Sequence, residues 1–120
     1  MPFILKTLKF TLNTAIIWLF FISSNNLFAQ NVANNEFLIQ IKDHKFVPST
    51  INVSANNNFK LIIENLDKTL EEFESDDLKK EKLVPAGKKI TIVVNALKAG
   101  EYKFYGDFHQ KTAQGKIIVK

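Results

Sequence analysis

Hydrophobic and polar residues alternate along most of the chain with a period of two. Phe37, Ile39 and Ile41 share one parity, and Ile51 with Val53 another. Phe59, Leu61 and Ile63 repeat the pattern, as do Ile90, Ile92 and Val94, Tyr102 with Phe104, and Ile117 with Val119. Such alternation over short stretches predicts half-buried β-strands, because successive side chains leave a strand on opposite faces. Turn residues punctuate the segments: Val47-Pro48-Ser49, Asn56-Asn57-Asn58, Pro85-Ala86-Gly87, Lys98-Ala99-Gly100 and Gly106. Residues 75–82 read as a single helical turn with Leu78 as its apolar residue. About seven short strands over about 90 residues predict an all-β protein, an antiparallel Greek-key β-sandwich.

The first residues follow a different pattern. Lys6 and Lys9 precede an apolar run over residues 10–22, and Leu27-Phe28-Ala29 follows. That order reads as a secretory signal peptide over residues 1–29, cleaved after Ala29. An uncleaved membrane anchor is the alternative, kept open by the large Leu27, although a membrane span needs about 20 apolar residues. Residues 30–36 read as a flexible lead-in and residues 37–120 as the folded domain. Export without a single cysteine means that no disulfide supports the fold, so stability must come from the apolar core. A chain of 120 residues also leaves room for one small domain only.

All the positive charge is lysine, 16 residues against 12 acids for a net +4, and losing Lys6 and Lys9 with the leader lowers this to +2. Scattered lysines without arginine argue against nucleic acid, which favours the planar guanidinium fork. The chain also has no Ser-His-Asp order, no glycine-rich phosphate loop and no cysteine pair. Three places carry candidate chemistry. One is the acidic segment Glu71-Glu72-Phe73-Glu74-Ser75-Asp76-Asp77; the others are Gly106-Asp107-Phe108-His109 and Asp43-His44. An acidic run is usually a solvated face, and a lone histidine is usually a surface residue. Parity sharpens the first place. With Phe73 in the core, Glu71 also points inward, while Glu72 and Glu74 point out. An inward carboxylate requires a cation or donors, because burying it bare costs several kcal/mol.

The same residues carry a resemblance. Asp43-His44-Lys45-Phe46-x-Pro48, Asn65-x-Asp67-x-Thr69-x-Glu71-Glu72-Phe73-Glu74-Ser75, Gly100-x-Tyr102-x-Phe104-x-Gly106-Asp107-x-His109 and Thr112-Ala113-Gln114-Gly115 resemble a cupredoxin domain. More narrowly, Glu-Glu-Phe-Glu-Ser and Thr-Ala-Gln-Gly resemble the EfeO-type cupredoxin-like domains of bacterial periplasmic iron uptake. The resemblance runs from about Phe37 to Lys120 and implies a cupredoxin-like sandwich. Glu71 stands where blue-copper members keep their first histidine, Gly106 where they keep the cysteine, and Ala113 or Gln114 near the axial methionine. Only the loop histidine survives, as His109. A blue-copper site needs a thiolate, so blue-copper electron transfer is excluded by the absence of cysteine.

What remains is a carboxylate-and-imidazole set. The candidate metal ligands are Glu71, Asp107, His109, His44 and Glu72, with Glu74 and Asp76 as outer candidates. Oxygen donors with one or two imidazoles suit Cu²⁺, Mn²⁺ or iron rather than Cu⁺. The resemblance implies a copper or iron ion as cofactor and a periplasmic location. It also implies a role in ferrous-iron uptake, with a ferroxidase-like contribution or delivery to an inner-membrane iron-transport protein. The alternative from a different class is a metal-free interaction module that docks a periplasmic or membrane partner. Neither reading calls for a membrane span after cleavage.

Overall fold

The computed structural model describes residues 35–120. The leader, its cleavage point and most of the lead-in lie outside the described residues. Nine strands follow one another: β1 (Glu36–Lys42), β2 (Lys45–Val47), β3 (Thr50–Val53), β4 (Phe59–Asn65), β5 (Glu71–Ser75), β6 (Lys80–Val84), β7 (Lys89–Val94), β8 (Gly100–Gly106) and β9 (Gln114–Val119). The first strand thus begins at Glu36, the last residue of the stretch read as lead-in.

Two sheets form the sandwich, with strand orders β2-β1-β4-β7 and β3-β9-β8-β5-β6. The chain changes sheet after β2 and returns as β4, so β1 and β4 lie side by side and parallel, Ile39 opposite Ile63. Strands β3 and β9 are likewise parallel, while the remaining pairs are antiparallel. The alternating positions face inward as their parity predicts. Ile39, Ile41, Ile51, Val53, Phe59, Leu61, Ile63, Ile92, Val94, Phe104, Ile117 and Val119 are all buried. At the centre, Phe46 meets Phe104 edge-on at 5.0 Å between ring centroids, and Phe73 stacks on Phe104 at 5.3 Å. Gly115 makes room for this cluster, since a β-carbon there would lie 2.3 Å from the Phe104 ring.

The helical turn expected over residues 75–82 is instead a hairpin turn followed by β6. Ser75 closes it from both sides, its hydroxyl donating to Lys103 O at 2.6 Å and accepting from Leu78 N–H at 3.1 Å. Lys79 leaves the turn with a φ of 55°. Strand β6 escapes notice because it is an edge strand with four consecutive exposed residues, Lys80 to Leu83, and so has no alternation to read. Its lysines suit an edge that must not pair with another chain.

Candidate functional site

Glu71 opens β5 on the inward parity of Phe73 and is 2% exposed. Its carboxylate is fully supplied with donors. Oε1 accepts the N–H groups of Glu72 at 2.9 Å and Phe108 at 3.0 Å. Oε2 lies 2.7 Å from His109 Nδ1, a charge-assisted distance. Sequence positions 71 and 107–109 therefore meet at one end of the sandwich. They do so because β5 pairs with β8, Phe73 opposite Gly106, and a single 3-10 turn at Asp107–His109 follows β8 directly. His109 O accepts from Ala113 N–H at 2.8 Å, and Gly106 N–H donates to Ala113 O at 2.9 Å, which closes the loop. Gly106 is needed for this packing. A β-carbon there would lie 2.7 Å from Glu71 Cδ and 2.8 Å from Ala113 Cβ.

His44 reaches the same place from the β1–β2 turn. Its ring stacks on that of His109, 3.6 Å between centroids and 11° from parallel. Two residues that sequence reasoning left unassigned hold it there. Asp67 accepts the N–H groups of Asp43 and His44 at 2.8 and 3.0 Å, and Asn65 accepts the N–H of Asp67 at 3.0 Å. The buried Asn65 amide in turn donates to Thr69 O and Val84 O. The signal was present in the sequence. Asn65 continues the inward parity of Phe59, Leu61 and Ile63, which makes it a polar residue in a core position.

Glu72 and Asp107 form a separate group. With Glu74 they place carboxylate oxygens within 4.8 Å of one another on the outer side of the β5–β8 sheet. Glu74 stands directly opposite Glu81 on β6, and Asp107 accepts from Gln110 Nε2 at 2.8 Å. Among the described residues none of these acids pairs with a lysine. Partial burial, followed by the charges of Glu81, Asp107, Glu74 and Glu71, holds the Glu72 carboxyl above its ordinary range. The Tyr105 hydroxyl is pushed up by partial burial and by Asp76 and Glu74. The five candidate ligands thus divide into Glu71, His109 and His44 on one side and Glu72 with Asp107 on the other. The first three have no common set of donor atoms within 4.8 Å, whereas the outer carboxylates do. Asp76 lies in the β5–β6 turn.

The sequence matches the cupredoxin-like domain family over residues 12–119. The chain belongs to that family. This cupredoxin-like domain is 54% identical over 84 residues to an uncharacterized protein of Rickettsia prowazekii (strain Madrid E), covering 70% of the chain and 67% of the relative. Its fold is similar to auracyanin A, a blue copper protein of Chloroflexus aurantiacus. That similarity has a TM-score of 0.62 at 15% identity and covers 71% of this chain and 98% of auracyanin. It is also similar to the metal-binding domain of the Cu(I)-exporting P-type ATPase CopA of Streptococcus pneumoniae D39, with a TM-score of 0.61 at 13% identity over 71% and 84% of the two chains. The purple cupredoxin of Nitrosopumilus maritimus gives a TM-score of 0.53 at 17% identity over 69% and 98%.

A thiolate copper centre does not fit this cupredoxin-like domain. The chain has no cysteine, and the space beside Gly106 is filled by the Glu71 carboxylate. Oxygen and imidazole donors do fit Cu²⁺ or iron. Glu71 Oε2 and His109 Nδ1 stand 2.7 Å apart, already close to the spacing of two neighbouring donors on one ion with bonds of about 2.0–2.2 Å.

Proposed function

We propose that this cupredoxin-like domain is an exported, periplasmic metal-binding protein of the non-blue type, resembling EfeO-type domains, that takes Cu²⁺ or Fe²⁺/Fe³⁺ and assists ferrous-iron uptake. The observation that supports it most is the convergence of donors at one end of the sandwich. Buried Glu71 and half-buried His109 form an inner pair, and the unneutralised carboxylates Glu72, Glu74 and Asp107 lie on the outer side. The inner pair offers one anionic oxygen and one imidazole nitrogen, a set that favours Cu²⁺. The outer trio offers only oxygen, which suits iron. A bound ion would supply one-electron redox or Lewis-acid chemistry at that end. The chain's own part is to hold donors in place. Two backbone N–H groups fix the Glu71 carboxyl in the core, and the outer acids repel one another until a cation neutralises them. Delivery to an inner-membrane iron-transport protein follows from the same resemblance.

Calorimetric and melting titrations with Cu²⁺, Fe³⁺ and Mn²⁺ on protein purified from cells test the reading. An ion at 100 times its dissociation constant should add about 2.7 kcal/mol of stability. His109→Ala should remove most Cu²⁺ affinity, and Glu72→Gln with Asp107→Asn should weaken Fe³⁺ more than Cu²⁺. Binding should also weaken in acid, because a protonated imidazole offers no lone pair to the ion. Copper-loaded protein should show only weak d–d absorption. An intense thiolate charge-transfer band, or no binding of any of the three ions, would overturn the proposal.

A second reading is a metal-free docking module. Leu66, Leu70 and Phe108, sequence neighbours of Asp67, Glu71 and His109, are 48%, 43% and 47% exposed. Every buried side-chain polar atom among the described residues already has a partner. This reading predicts equal and weak metal affinity for the parent, Glu71→Gln and His109→Ala.

A further inference from the structure

Strands β1 and β2 are joined by two residues, Asp43 and His44, with Lys42 opposite Lys45. Both have left-handed backbones, with φ of 51° and 57°. Two-residue turns of this kind favour Asn-Gly, because a β-carbon is disfavoured at positive φ and most of all one that carries a bulky side chain. A histidine at the second position is therefore a poor choice for the turn itself. The structure supplies what holds it. Asp67 takes one N–H from each turn residue, on separate oxygens, at 2.8 and 3.0 Å. Its Oδ2 also stands 3.4 Å from His44 Nδ1. Asp67 is itself fixed by Asn65, which is wholly buried and tied to two backbone carbonyls. The result is a relay from the core to the imidazole of His44, which lies flat on His109 at 3.6 Å.

His109 is consequently held from two directions. Glu71 Oε2 lies 2.7 Å from its Nδ1, and His44 covers its face. His44 is not placed as a third ligand. Parallel stacked rings direct their nitrogen lone pairs side by side rather than toward one point, and His44 shares no donor cluster with Glu71 and His109. We infer that Asp67 is a positioning residue: by holding the left-handed Asp43–His44 turn it stacks His44 on His109 and fixes the imidazole whose Nδ1 faces Glu71. The effect on metal binding rests on the reading of His109 as a donor. The clamp itself does not.

Two measurements on protein purified from cells decide the matter, using Cu²⁺ as the metal probe. The first is NMR of the histidine ring protons without metal. Stacking should shift the His109 signals upfield in the parent, and Asp67→Ala should abolish the shift. Asp67→Asn, which keeps an acceptor oxygen, should retain part of it. Unshifted His109 signals in the parent, or an unchanged shift in Asp67→Ala, would overturn the clamp. The second is Cu²⁺ calorimetry beside thermal melting. His44→Gly should bind Cu²⁺ at least tenfold more weakly than the parent, while its melting temperature stays level or rises because glycine suits the turn. His44→Phe should keep most of the affinity, since a phenyl ring stacks but cannot ligate. Loss of affinity in His44→Phe equal to that in His44→Gly would make His44 a ligand and refute the clamp. Parent-like affinity in His44→Gly would refute the clamp's role at the site. A parent that binds no Cu²⁺ would sink the copper reading, and the ring shifts alone would then decide the clamp.

Discussion

Glu71 and Glu72 are chemically identical neighbours with opposite surroundings. Glu71 is buried but well partnered, because two backbone N–H groups and the His109 imidazole lie against its oxygens. Glu72 is half-buried among Glu74, Glu81 and Asp107, and its carboxyl is held above its ordinary range. One position along a strand separates a satisfied carboxylate from a frustrated one. Burial alone therefore does not set the cost of a charge in this fold. The number and sign of the groups facing it do.

Substitutions on the two faces of β5 can break or sharpen this contrast. The largest effect is expected from Phe73→Ala, which shares the inward parity of Glu71 and opens a cavity against Phe46 and Phe104. It should cost about 3–5 kcal/mol by chemical denaturation. A loss near that of a surface residue would mean that the inner face of β5 is not core. Gly106→Ala comes next. Its methyl group would intrude 2.7 Å from Glu71 Cδ, so overpacking of about 1–3 kcal/mol is expected, together with loss of the Glu71–His109 contact seen in the His109 ring signals. Glu71→Gln keeps the shape and removes the charge. It should cost about 1–2 kcal/mol, because the neutral amide accepts the same two N–H groups less strongly.

Glu72→Gln should have the smallest effect and the opposite sign. The folded state disfavours the ionised form of Glu72, so its charge lowers stability above the raised value and not below the ordinary carboxylate range. At neutral pH the melting temperature of Glu72→Gln should equal or slightly exceed that of the parent. The difference should vanish as pH falls through the raised value toward the ordinary one. A clear loss of stability in Glu72→Gln at neutral pH would show that the outer acids are not in mutual repulsion.

Much of this molecule was legible without coordinates, because strand parity is a local property. Alternation from Phe37 to Ile41, from Phe59 to Ile63 and from Ile90 to Val94 identified the faces that became core, and the position of Phe73 placed Glu71 inside two residues earlier. The absence of cysteine excluded a thiolate metal centre on composition alone. Strand β6 was not legible, since an edge strand with both faces in water carries no period. Neither were the parallel pairings, which depend on the chain leaving one sheet and returning to it. The site itself belongs to the tertiary structure. His44, Asp67, Glu71 and His109 come from four separate segments of chain, and their meeting depends on which strands pair and how tightly the loops at one end close. Periodicity tells each residue which way to face. Only the packing of the two sheets determines what it faces there, and so whether a buried carboxylate finds its donors.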